Sequence, residues 1–342
     1  MYVKFYHRMG KPLGQVVPTS AARSWRLNEI GKAVIEIPRT STKITPAYLR
    51  YGNLVAIDSD DTHLWAGILL PPTTWSEKSV ILTAYSGERL LKGRLLQKNY
   101  YALGARCGEV FQHIINWIRN VYQPNISVGN INYGGPPVDK EYHYDDAWQA
   151  ITDLARQKGN EFWIEPFFNH LGWLMFRANW YKRRGADKSG KIALIENVNL
   201  VGQTTLREGG EIFNHWVISG AGDSWQTMPV GEYHDLEQTD AYGKWSAYST
   251  MSDIISVDSL AEHAHAKVDD TKYAESLFRT ACVNMQNLWH KFQVGDTVKL
   301  ESHTFGWDAD GGLGFKGKAR VISQAVDELQ GYMALVLSEV KE

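Results

Sequence analysis

Apolar residues near the start of this chain fall in short runs rather than at helical spacing. Leu54-Val55-Ala56-Ile57, Leu64-Trp65-Ala66-Gly67-Ile68 and Val80-Ile81-Leu82-Thr83-Ala84-Tyr85 are separated by polar or proline-containing breaks. Short runs bounded by turn residues predict strands. Ser24-Trp25-Arg26-Leu27 and Ala33-Val34-Ile35-Glu36-Ile37 flank Asn28-Glu29-Ile30-Gly31, which reads as a hairpin loop, and Pro38 stops the second strand. Asp58-Ser59-Asp60-Asp61-Thr62 reads as another polar turn. Gly67 inside its run marks a bulge or a close backbone approach. After Ser86 the pattern changes, and Glu88 to Leu96 predicts a short helix.

The middle of the chain is mixed. Val110, Phe111, Ile114, Ile115, Ile118, Val121 and Tyr122 lie on one helical face, so Glu109 to Tyr122 predicts a helix. Asn125 to Asp139, rich in Gly, Pro and Asn, predicts a loop. A second helix is predicted from Asp146 to Lys158, with Ala147, Trp148, Ile151, Leu154 and Ala155 inward and Gly159 as its stop. Glu161 to Glu165 and Gly172 to Arg177 then predict a hairpin, completing a compact α+β unit. Strands return at Lys191 to Glu196, Glu211 to Ser219, Asp296 to Glu301, Lys316 to Val326 and Tyr332 to Leu337. Between them, Gly222 to Asp253 is polar and turn-rich, Ser259 to Lys267 and Thr271 to Trp289 predict helix, and Gly306 to Gly314 predicts a loop. The class is α+β, predominantly β, and no fixed-period repeat indicates a solenoid or propeller.

Composition changes this picture little. At 342 residues the chain can bury a sizeable core and form two or three domains. The 13 Trp, 17 Tyr and 11 Phe suit sheet faces and interfaces, since they bury large area at low entropic cost. A net charge of −2 gives no global basic field for nucleic acid or anionic lipid. Cys107 and Cys282 show no metal spacing; two buried thiols in a reducing compartment are expected, although one disulfide is formally open. The start lacks a signal-peptide core and no run is long enough for a spanning helix, so a soluble protein made in the cytosol is expected.

Each candidate for chemistry has a structural explanation. Asp58-Ser59-Asp60-Asp61 opens like a calcium loop, but His63 stands at the sixth position, where glycine is needed. Asp308-Ala309-Asp310-Gly311 lacks the closing Glu, with Arg320 and Val321 in its place. His263 and His265 would share a face on a strand, with Asp269 and Asp270 as further ligands, but diverge on the helix predicted there. Gly220-Ala221-Gly222-Asp223-Ser224 is not a nucleophile elbow, and Gly10 and Gly108 belong to no phosphate loop. Glu161 and Glu165 share one strand face, and glycosidase chemistry needs such a pair at a set separation in a cleft. Trp180-Tyr181-Lys182-Arg183-Arg184, with Lys188 and Lys191, is the one segment suited to nucleic acid, and it also reads as a solvated loop. No catalytic, cofactor-binding or metal residues are assigned, and an enzyme is not expected.

Three segments carry a resemblance. Leu64-Trp65-Ala66-Gly67-Ile68 leads through a proline break and Trp75 into Leu82-Thr83-Ala84-Tyr85-Ser86 and Leu90-Leu91. The C-terminal run is Val294-Gly295-Asp296-Thr297-Val298, then Ala319-Arg320-Val321-Ile322-Ser323 and Leu335-Val336-Leu337. Together they resemble the tail-hub proteins of long-tailed bacteriophages and related contractile injection systems. The resemblance implies two tail-tube-like β-barrels: 1–100 as the first, 101–190 as an inserted α+β domain, and 191–342 as the second, with a further insertion around 222–290. It implies a homotrimer in the virion tail tip or baseplate, joining a hexameric tail tube to a three-fold tip and assembled in the host cytoplasm. Implied partners are distal tail or tail-tube ring proteins, tip, fibre or spike proteins and the tape-measure protein, with genomic DNA passing through the channel only. The chain lacks the long C-terminal extension of large members, so no attached peptidase, lysozyme or receptor-binding domain is expected. A competing reading is a carbohydrate-active protein, with Trp and Tyr as sugar platforms and Glu161, Glu165 or Asp308 as carboxylates.

Overall fold

The apolar runs near the N-terminus become strands covered on both sides. The computed structural model describes residues 1–41, 44–58, 64–97, 99–134, 137–157, 159–200, 205–209, 212–222, 224, 226–251, 254–272, 275–283, 288–307, 313–329 and 331–340. It opens with β1 (Tyr2–Tyr6), β2 (Pro12–Val16), β3 (Ser20–Arg26), β4 (Lys32–Pro38), β5 (Leu54–Asp58), β6 (Trp65–Trp75) and β7 (Ser79–Ser86). Leu54 to Ile57 and Trp65 to Ile68 are buried without alternation. Successive strand residues face opposite ways, so both sets must be apolar when both faces are covered. Phe5, Val55, Ile57, Trp65 and Leu69 pack with Ile35 and Leu82 on one side. Tyr6, Leu54, Ala56, Ala66 and Ile68 pack on the other against the inserted unit. The expected close approach at Gly67 is present: a Cβ there would lie 2.1 Å from the Tyr85 carbonyl oxygen.

The predicted hairpin is β3–β4, whose turn residue Asn28 has φ 54. Asn28 also reaches the inserted unit, accepting from the Phe162 N–H at 2.9 Å and donating to the Asn160 carbonyl at 3.2 Å. The helix expected from Glu88 to Leu96 is only a 3-10 turn, Gly87–Leu90. The following backbone pairs elsewhere, since Leu95 bridges to Asp146 and the Leu96 N–H donates to the Asp145 carbonyl at 2.9 Å.

The inserted unit contains β8 (Tyr100–Arg106), α1 (Cys107–Tyr122), β9 (Ile126–Ile131), β10 (Pro137–Tyr142), α2 (Ala147–Gln157), β11 (Glu161–Phe168) and β12 (Leu174–Tyr181). Val110, Phe111, Ile114, Ile115 and Ile118 of α1 are all fully buried, as their spacing requires. The segment Asn125 to Asp139 is not a loop throughout, because it holds β9 and the start of β10. The partner of β9 is distant: it pairs in parallel with β12, which also forms the predicted hairpin with β11. Gly129 permits this, because a Cβ would fall 2.3 Å from both Arg177 Cγ and Asn179 Oδ1.

The remaining elements are β13 (Ala193–Ile195), β14 (Thr205–Gly209), β15 (His215–Ser219), β16 (Val230–His234), α3 (Leu236–Tyr242), β17 (Ser246–Thr250), α4 (Val257–Thr271), β18 (Glu275–Val283), β19 (Thr297–Trp307), β20 (Leu313–Asp327) and β21 (Tyr332–Glu339). The turn-rich stretch Gly222 to Asp253 contains β16, α3 and β17, which with β15 and α4 form a small separate unit. The predicted helix Thr271 to Trp289 is overturned: its centre is β18. Hydrogen bonding to β14 on one side and β21 on the other holds it extended. Phe278 packs inward against Phe315 at 4.7 Å between ring centres, while Arg279 faces out.

With 49% strand and 18% helix, the predominantly β character of this α+β chain holds. The strands of both chain ends join one 13-stranded sheet, ordered β14-β18-β21-β20-β3-β4-β7-β6-β5-β1-β2, with β19 also paired to β20 and β13 to β19. Among the described residues, none of the sheets closes into a barrel. The join is β3 against β20, with Arg23 opposite Val326 and Arg26 opposite Ser323. β20 is 15 residues long and pairs β19 with its first half before reaching β3. Buried Arg23 ties the join to Glu328 at 2.5 Å, and Trp25 packs into the cores on both sides of it.

Candidate assembly interface

The residues singled out for chemistry do not converge. His263 is buried on α4 while His265 faces out toward Asp269 at 3.4 Å, which is the divergence a helix imposes. Among the described residues, no three His, Cys, Asp or Glu side chains come together in a way that could hold a metal. Residues 59–63 and 308–312, and hence both calcium-like loops, lie outside the described residues, as does Asp223. Cys107 is buried at the start of α1; the side chain of Cys282 on β18 is outside the described ones.

Glu161 and Glu165 share one strand face but not one role. Glu165 is exposed, whereas Glu161 is buried and clamped by Arg320, Nη1 to Oε1 at 2.5 Å and Nη2 to Oε2 at 2.7 Å. The Arg184 N–H adds a third bond to Glu161 at 2.6 Å. A carboxylate held by a guanidinium fork and a backbone donor is not available as a general acid or nucleophile.

Arg184 and Lys188 of the basic, aromatic segment are engaged by the same joint, while Lys182, Arg183 and Lys191 are exposed. The Arg184 guanidinium lies 4.0 Å from the Trp163 ring centre, donates to the Val294 carbonyl and reaches Gln293 Oε1 at 3.0 Å. Burial pushes this guanidinium down from its ordinary value, while Tyr181, Asp296 and Glu88 favour its charge. Asp296 accepts from the Ala186 and Gln293 N–H groups at 2.8 and 2.9 Å and pairs with Lys188 at 2.8 Å. Gly185 and Gly295 both have positive φ, and a Cβ on Gly185 would lie 2.2 Å from the Gly295 carbonyl carbon. The Val294-Gly295-Asp296 motif is thus the socket that fixes the inserted unit to the C-terminal strands. Sequence reasoning missed that role because the partners Arg184 and Ala186 are 110 positions away.

What remains open to a partner is surface. Across β18, β21, β20 and β3 an open groove of about 740 Å³ is lined by Arg26, Glu29, Leu277, Arg279, Tyr332 and Val336. The hairpin β6–β7 projects Trp75, 60% exposed. The small unit shows Trp245, Tyr248, Ile255 and Leu236, each more than half exposed. Among the described residues, β2, β13 and β14 are the terminal strands of the large sheet. Exposed aromatics on sheet edges and hairpins are the features of binding surfaces. No helix among the described residues is long and apolar enough to cross a membrane.

No protein-family model and no curated protein sequence matches the chain. Solved structures do match its fold over nearly full length. The 43 kDa tail protein of prophage MuSo2 from Shewanella oneidensis is 12% identical at TM-score 0.62, with 100% of this chain and 98% of that one covered. The prophage tail protein gp18 from Listeria monocytogenes EGD-e is 11% identical at TM-score 0.64, with 100% and 95% covered. An Escherichia coli component of the type VI secretion system is 9% identical at TM-score 0.56, with 94% and 73% covered. The chain therefore has the fold of phage tail proteins and of type VI secretion components, as expected of a tail-hub or baseplate protein.

Proposed function

We propose that this chain is a structural component of a virion tail tip or baseplate, a trimeric hub joining a hexameric tail tube to a three-fold tip. The observation that carries this reading is the join of β3 to β20, which sets two strand-rich halves side by side in one open sheet. Each half, 1–100 and 191–342, is read as a tail-tube-like unit, with 101–190 inserted between them and a further insertion around 222–290. Two such units per chain give six in a closed ring of three copies, matching a six-fold tube above and a three-fold tip below. The terminal strands β2 and β14 would let each copy's sheet meet the next, the barrel closing only in the assembly.

On this reading the partners are further copies of the chain, tail-tube or distal tail ring proteins, tip, fibre or spike proteins and the tape-measure protein. DNA passes only through the channel, and assembly takes place in the host cytoplasm. The chain carries no enzyme activity, which is supported by a Glu161 carboxylate already clamped by Arg320. Native mass spectrometry of the purified protein, with and without its tail-tube neighbour, tests the reading. A trimer that captures a tube ring is expected; a monomer at high micromolar concentration that captures none refutes it.

A further inference from the structure

One cluster of cations on the surface has no acidic residue lining the same cleft. Between the β1–β2 turn, the start of β5, the middle of β6, the turn after β7 and the C-terminus of α1 lies a cleft of about 290 Å³. Arg8, Arg89, Lys92 and Arg94 line it, and no Asp or Glu does. Among the described residues none of these four makes an ion pair. Their contacts are weak substitutes: Arg94 sits over the Tyr122 ring at 5.5 Å, and Arg89 donates to the Lys92 carbonyl at 2.7 Å. Burial lowers the Arg94 pKa and the Arg89 charge adds to that, with Tyr122 opposing. The floor is apolar, formed by Leu54, Ile68, Leu70 and Leu90.

We infer that this cleft docks an acidic segment of a partner protein, one carrying Asp or Glu beside an aliphatic side chain. The guanidinium groups supply forked donors for a carboxylate, and the aliphatic neighbour fills the floor. The shape favours a protein segment over nucleic acid. A strand of nucleic acid needs cations tracked along a groove and aromatic faces for its bases. Here the cations line one compact cleft, Arg94 sits over the Tyr122 ring, and the Tyr122 hydroxyl is engaged by the Leu95 carbonyl at 3.0 Å and N–H at 2.9 Å. The inference rests on the hub reading only in making the partner a neighbouring tail component.

Calorimetric titration of the full chain with the acetylated peptide amide Gly-Glu-Leu-Glu-Leu-Glu-Gly tests it, with the Glu-to-Gln peptide, inorganic phosphate and a short DNA duplex as comparisons. Saturable binding of the acidic peptide is expected, weaker at higher salt and at least about tenfold weaker in Arg89→Gln/Arg94→Gln, with Lys32→Gln unchanged. Loss of unpaired cations should leave thermal stability equal or higher. No saturable binding, unchanged affinity in the double variant, or tighter duplex binding lost in that variant would overturn the inference. So would a double variant that loses stability and binds nothing, since the arginines would then serve the C-terminus of α1. Oligomeric state, measured on the same variants, separates failure here from failure of the hub reading.

Discussion

Removing either half of the Glu161–Arg320 pair should loosen the inserted unit from the C-terminal strands. The Arg320 side chain is 14% exposed and that of Glu161 8%, so neither charge can turn to water. Arg320→Met removes two bonds to Glu161 and those to the Gly295 and Arg184 carbonyls at 3.0 and 2.8 Å. It leaves a buried carboxylate with one backbone donor. Breaking a buried pair from one side costs about 3–5 kcal/mol, mostly the penalty of the stranded charge. Glu161→Leu should cost a similar amount. The double variant strands no charge and should lose only ~1–2 kcal/mol, for the unsatisfied Arg184 N–H and the two carbonyls. The cycle thus predicts strong coupling between the sites. Urea unfolding of the four proteins, followed by intrinsic tryptophan fluorescence, measures it. Single variants that each lose under about 1 kcal/mol, or a double variant that loses their sum, would refute the stranded-charge account.

Three further outcomes follow from other buried groups. Burial raises the pKa of Glu88, against hydrogen bonds from Ser86 and the Ile164 N–H, so folding favours its protonated form. Wild-type stability should then fall as pH rises from the ordinary carboxylate range through the raised folded value. Glu88→Gln should be the more stable protein at pH 8, and thermal melts showing it less stable would contradict this. His215 is held below its ordinary value by burial, then by Lys244 and His234. Its neutral form is favoured, so the β15–β16–β17 unit should lose stability as pH drops below about 6.5, and His215→Gln should flatten that dependence in hydrogen exchange. Gly67→Ala drives a Cβ into the Tyr85 carbonyl and should cost about 1–3 kcal/mol, read as a lower urea midpoint.

The sequence by itself determined the elements whose burial follows a local period. The five apolar positions of α1 could face one core only as a helix. The unbroken runs of β5 and β6 required strands covered on both faces, and Asn28 to Gly31 required a turn. Tertiary structure alone decided which strands meet. β9 pairs in parallel with β12, β13 with β19 and β15 with β17, and none of these ladders has a local signature. β18 shows the limit clearly: its Leu, Ala and Met neighbours suit a helix, and only β14 and β21 hold it extended. That the strands of the two chain ends share one sheet was hidden for the same reason, since β20 can pair β3 as readily as any neighbour in sequence. Likewise, Glu161 is an ordinary strand acid until the fold brings Arg320 to it across 159 positions. Side-chain period is written in adjacent residues, whereas hydrogen-bond and charge partners are chosen by packing among distant ones.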